Sequence, residues 1–139
     1  MNEQTKEKLV VLILIVVGIG SIGNAVWMLA GPLSWYHDLP AAVPDFGDYN
    51  VHFVRDLGCG FLGMGLALFW AARNKKFRFP LIFSPVIFYV LHAINHVWDT
   101  VRGHVGHDHW YIDLPLSYLP AILLVPAAIY SYNQMKANS

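Results

Sequence analysis

FPLIFSPVIFYVLHAINHVWDT, residues 79–100, is the stretch whose reading decides the fold. It carries one formal charge, Asp99, near its far end. At about 1.5 Å per residue a helix of this length spans about 33 Å, roughly the hydrocarbon thickness of a bilayer. Pro80 suits a first helical turn, and Pro85, one-third of the way along, predicts a kink. The second half is not uniformly apolar. His92, Asn95, His96 and Asp99 recur at i, i+3, i+4 and i+7, which is one stripe of a helix. Ionisable groups in hydrocarbon cost several kcal/mol, so the stripe must face other helices or a wet cavity.

Three further apolar stretches extend the pattern. They run over about 9–30, 52–72 and 112–132, and Pro115, Pro120 and Pro126 predict a bent last helix. The first resembles a signal peptide in position. Its apolar run is too long, though, and Met28 stands where a cleavage site wants a small residue, so it reads as a retained helix. Charged residues make up 13% of the 139-residue chain, against about 25% in soluble domains. Together these features predict an all-α protein, an integral membrane four-helix bundle forming a single domain over 1–139. The bilayer is its solvent, and a net charge of zero leaves no nucleic-acid footprint.

Charge sorting orients the bundle. Lys6, Lys8, Arg73, Lys75, Lys76, Arg78 and Lys136 flank one end; all seven histidines, and Asp38, Asp45, Asp48, Asp56, Asp99, Asp108 and Asp113, fall toward the other. The excess of basic residues marks the cytoplasmic face, giving a multi-pass protein of the bacterial inner membrane with both termini cytoplasmic. The 31–51 loop, rich in Pro and Gly, is expected to fold over the outer mouth as an extracytoplasmic cap, with Asn50 capping the second helix. Asp38, Asp45, Asp48, Asp108 and Asp113 read as ordinary solvated loop groups.

The chemistry-bearing residues converge on one layer. His52, Arg55, Asp56 and Cys59 form a stripe at the outer end of the second helix. The second and third helices are antiparallel, so His52 and Asp56 reach the depth of His96 and Asp99. Asn24 on the first helix falls near the depth of His92, and Arg55 is expected to pair with Asp99 or Asp56. Glycines 18, 20 and 23 of the first helix, and 58, 60, 63 and 65 of the second, allow close helix packing. Histidines at i, i+4 can chelate one ion. His52, Asp56, His92, His96 and Asp99 therefore form a candidate site for copper, zinc or iron, among which imidazole does not choose. A b-type haem held by two histidines, a structural polar network, and a proton or ion relay with Asn24, Arg55 and Asn95 are the competing readings. His104, His107 and His109 form a weaker, second metal-binding loop.

Several classes are excluded. There is no H-E-x-x-H, no Walker A motif, no C-x-x-C-H and no second cysteine beside Cys59. Small size and the lack of a complete catalytic motif admit a homo-oligomer, or an accessory subunit of a larger membrane complex of respiratory or oxygenase type. Trp35-Tyr36-His37, with Asn50-Val51-His52-Phe53-Val54-Arg55-Asp56-Leu57-Gly58 and the His92–Asp99 stretch, resembles a pattern in small four-helix bacterial inner-membrane proteins. That resemblance points at His52, Arg55, Asp56, His92 and His96 and implies no particular activity.

Overall fold

The computed structural model describes residues 1–137, and the described residues are almost entirely helical. The elements in order are α1 (Glu3–Ala30), α2 (Pro32–Asp38), a 3-10 turn (Val43–Phe46), α3 (Val51–Arg73), α4 (Arg78–Arg102), α5 (His109–Ile112), a π-helical turn (Leu114–Tyr118) and α6 (Leu119–Ala137). Helices α1, α3 and α4, and the continuous helix over 114–137, are each long and apolar enough to cross a membrane. Many large apolar side chains point outward, among them Leu12, Val16, Phe83, Leu91 and Ile122. A water-exposed bundle would bury such side chains, whereas a lipid-solvated one leaves them outside.

Local chemistry sets the element ends. Asn50 caps α3, its side-chain oxygen accepting from the Phe53 amide at 3.1 Å. Gly103, at φ +73°, ends α4 in the left-handed conformation, and its amide reaches the Asp99 and Thr100 carbonyls. Pro85 is fully buried inside an unbroken α4. Pro120 matters more. A proline clashes with the carbonyl four residues earlier, and a wider turn relieves that clash. Here the Tyr118 amide bonds back five residues to the Asp113 carbonyl at 3.2 Å. The widened turn brings Asp113 and Ser117, both buried, to the bundle interior.

Helices α1 and α3 make the closest pair. A side-chain carbon placed on Gly65 would lie 2.6 Å from Ile22 Cγ1 and 3.0 Å from the Gly18 carbonyl oxygen. Only glycine permits that approach. Gly20, Gly23, Gly60 and Gly63, by contrast, face open space.

The start of α1 and the end of α6 share one end of the bundle, where polar contacts tie all four long helices. Arg78, almost completely buried, reaches Glu7 of α1 at 2.9 Å and donates Nε–H to the Ala71 carbonyl at 3.0 Å. Tyr130 donates to Glu7 at 3.4 Å, and Gln134 donates to Glu3 at 3.3 Å. Above this network lies a dry layer in which Leu14, Leu68, Ile82 and Leu124 are each fully buried.

Candidate functional site

The opposite end of the bundle holds a connected array of acids and histidines. Its centre is Asp113, which is 0% exposed. Oδ2 of Asp113 lies 3.3 Å from Nδ1 of His109, also fully buried, and 2.8 Å from Nδ1 of His96. The second contact is close but lies off the line of an aligned hydrogen bond. His109 and Asp113 meet because they stand at i, i+4, with α5 and the π turn running on as one helical path. His96 arrives from the facing surface of α4.

The array continues in both directions. Nε2 of His109 lies 3.2 Å from Oδ2 of Asp45 in the 3-10 turn, and the Asp45 side chain is 56% exposed. Phe46, next in sequence, stands edge-on to both His96 and His109, with ring centroids 4.8 and 4.9 Å away. On the other side, the rings of His96 and His92 meet edge to face at 4.5 Å. Nε2 of His92 is 3.5 Å from the Ser117 hydroxyl. Phe88 stacks on His92 with an interplanar angle of 14°. A connected path thus runs from exposed Asp45 through His109, Asp113 and His96 to His92.

Proton counting constrains this path. An ionised carboxylate only accepts hydrogen bonds, while a neutral imidazole has one donor nitrogen and one acceptor nitrogen. Both ring nitrogens of His109 face carboxylate oxygens. Either His109 is an imidazolium or one of the two acids carries a proton. Burial pulls the His109 imidazole down, but hydrogen bonds to Asp45 and Asp113, together with the charges of Asp113 and Asp108, hold it above its ordinary value of 6.5. The other carboxylate oxygen of Asp113, Oδ1, is buried with no hydrogen-bond partner.

His92 and His96 form one wall of a partly open cavity of about 760 Å³ bounded by α1, α3, α4, the 114–118 turn, the start of α6 and the 31–50 segment. Its polar groups include Asn24, whose side-chain oxygen accepts from Trp35 Nε1 at 2.7 Å. At its floor the Ser21 and Tyr89 hydroxyls meet at 2.7 Å. Below that pair comes the dry layer.

The structure redistributes the residues expected to share one layer. His96, His92 and Asn24 do point into the bundle. His52 and Asp56 do not: they pair with each other at 3.3 Å on the outer surface of α3, their side chains 86% and 65% exposed. The register of α3 is the reason, because Val54 and Gly58 occupy its buried face. Arg55 is likewise exposed and makes no ion pair among the described residues, so the expected Arg55–Asp99 bridge is not formed. Asp99 instead contacts His104 at 3.2 Å and accepts weakly from exposed Asn95 at 3.5 Å. Cys59 is exposed. The loop histidines separate: His104 belongs to Asp99, His107 is exposed, and His109 sits at the heart of the array.

Asp113 and Asp45 had read as solvated loop acids. One is fully buried and the other docks on His109. The sequence did carry a signal for Asp113: His109 and Asp113 repeat the i, i+4 spacing that singled out His92 and His96. Nothing comparable marked Asp45, which is distant in sequence from its partner.

Among the described residues no group of three or more His, Cys, Asp or Glu side chains converges as a metal ion requires. No family model matches the chain, and neither a curated protein nor a solved structure is significantly similar to it. Fold and site together define an all-helical protein with four membrane-length helices and a buried acid–histidine array beside an internal cavity.

Proposed function

We propose that this chain is a multi-pass membrane protein whose acid–histidine array exchanges protons between the extracytoplasmic face and the cavity in its outer half. The basic residues around the shared chain ends support placing that end in the cytoplasm. The observation that carries the proposal is the shared carboxylate: one oxygen of buried Asp113 faces a ring nitrogen of both His96 and His109. A buried charge without compensation is costly, so such an array holds its charges and protons jointly.

The sequence of transfers follows from the contacts. Exposed Asp45 takes a proton from solvent and passes it to His109 Nε2. The resulting imidazolium releases its Nδ1 proton toward Asp113 Oδ2, and His96 Nδ1, 2.8 Å away, takes it when its ring turns into line. His96 itself lines the cavity and there presents the proton to whatever occupies it. The path stops there. Inward of the Ser21–Tyr89 pair, fully buried Leu14, Leu68, Ile82 and Leu124 form an apolar layer. The device equilibrates a site inside the membrane with the outside and does not conduct across.

The test uses proteoliposomes of oriented protein labelled with ¹⁵N in the histidine rings. The His96 ring signals should follow external pH, ignore internal pH, and lose that response in Asp113→Asn. Sustained proton flux across the liposome wall, or equal response to internal pH, would overturn the reading.

A metal centre is the second reading, favoured by one observation. Asp113 backs Nδ1 of His96, as carboxylates back metal-binding imidazoles, and His92 stands beside it. Copper, zinc or iron would need donors beyond these two rings. Elemental analysis of protein purified without added metal tests it, together with a visible spectrum for haem; trace metal and no Soret band would end it.

A further inference from the structure

We propose that the cavity binds a neutral, lipid-soluble molecule with a planar, carbonyl-bearing head, of the quinone or aromatic-ketone class, admitted from the bilayer between α1 and α6. The inference rests on the membrane reading above, but not on proton exchange.

The opening comes from how α1 and α6 meet. At the cytoplasmic end they are tied by the Tyr130–Glu7 and Gln134–Glu3 hydrogen bonds. Toward the other end, Val16 and Gly20 of α1 line the cavity opposite Leu116, Leu119 and Leu123. Val16, Leu116 and Leu119 also remain 54%, 42% and 42% exposed, so these walls form a mouth on the apolar flank of the bundle. A side-chain carbon on Gly20 would meet nothing within 4 Å. The mouth therefore faces lipid, and what enters it must be soluble there.

The lining sets the head group. Among the described residues no lysine or arginine lines the cavity, while Asp48 and Asp99 do. An anionic head such as a phosphate or a fatty-acid carboxylate would find no permanent counter-charge and two repulsive carboxylates. Most of the wall is apolar and aromatic, and its neutral polar side chains are donor-capable, among them Asn24 and the neighbouring His92 and Ser117. Neutral donors set in an aromatic slot suit a flat acceptor head on an apolar tail. A volume of about 760 Å³ falls in the range of drug-sized ligands, enough for one ring and part of a chain.

The test follows Trp35, which lines the cavity, in nanodiscs made from protein with Trp27, Trp70, Trp98 and Trp110 replaced by Phe. The probe is a benzoquinone bearing a decyl chain. It should quench Trp35 saturably, and myristate should not displace it. Gly20→Phe, which fills the mouth from open space, should weaken binding at least tenfold. Gly63→Phe, equally open but outside the cavity, should leave it unchanged. His92→Ala should weaken it about tenfold, the worth of one hydrogen bond. Non-saturable quenching, displacement by myristate, or equal binding in Gly20→Phe and Gly63→Phe would each overturn the proposal. None of these results bears on histidine protonation, so the two proposals fail separately.

Discussion

Replacing Asp113 by alanine removes the carboxylate on which two histidines depend. It is fully buried, 2.8 Å from His96 and 3.3 Å from His109. Breaking a buried charged contact by deleting one partner costs about 3–5 kcal/mol, because the other partner is left uncompensated. Asn keeps the shape but loses the charge, and its amide group adds a donor where a donor already points. Asp113→Asn should cost about 1.5–3 kcal/mol, the worth of hydrogen bonds to charged groups. Reversible unfolding in mixed micelles, followed by loss of helical signal, measures both. The sharper assay is a double-mutant cycle between Asp113→Ala and His109→Ala. If the contact is real, the double variant is less destabilised than the summed singles, by at least about 1 kcal/mol. Additivity within about 0.5 kcal/mol, or an Asp113→Ala cost no larger than that of His107→Ala, would refute the reasoning.

Four further outcomes follow from the geometry. His109 titrates above its ordinary 6.5, so its stabilising contribution is full below that value and fades as pH rises through the raised one; the stability gap between wild type and His109→Gln should shrink in that direction. Arg78→Ala leaves half-buried Glu7 to Lys75 and Tyr130 and takes the donor from the Ala71 carbonyl; it should cost about 1.5–3 kcal/mol in the same unfolding assay, with Arg78→Met/Glu7→Gln recovering part. Gly65→Val should separate α1 from α3 and cost about 1–3 kcal/mol. His52→Ala and Asp56→Asn should each change stability by less than about 0.5 kcal/mol and leave the His109 ring signals unmoved, as an exposed pair predicts.

The four membrane-length helices were legible because membranes impose a crude rule, about twenty apolar residues per span, that needs no knowledge of packing. The stripe from His92 to Asp99 was half legible. Helical period placed His92 and His96 together, and both do turn inward. It could not tell that the stripe is wide enough for Asn95 and Asp99 to sit toward its edge. For α3 the period was right and the phase wrong. Gly58 and Gly65 face α1, and the choice of which side of a glycine-dotted helix is buried depends on its neighbour's shape. Asp113 was hidden by the π turn, since the widening that Pro120 brings shifts where side chains point. Asp45 was hidden by chain distance, because a loop residue reaches His109 only after the whole bundle has closed.

The central claim is that Asp45, His109, Asp113 and His96 share protons as one array. The ring ¹⁵N signals of His109 in nanodiscs at pH 6.5 test it most directly. At that pH an ordinary histidine is half protonated. The account predicts that His109 is more than half imidazolium there, and that Asp113→Asn lowers the fraction. A His109 ring half protonated or less in the wild type, or a fraction indifferent to Asp113→Asn, would contradict it.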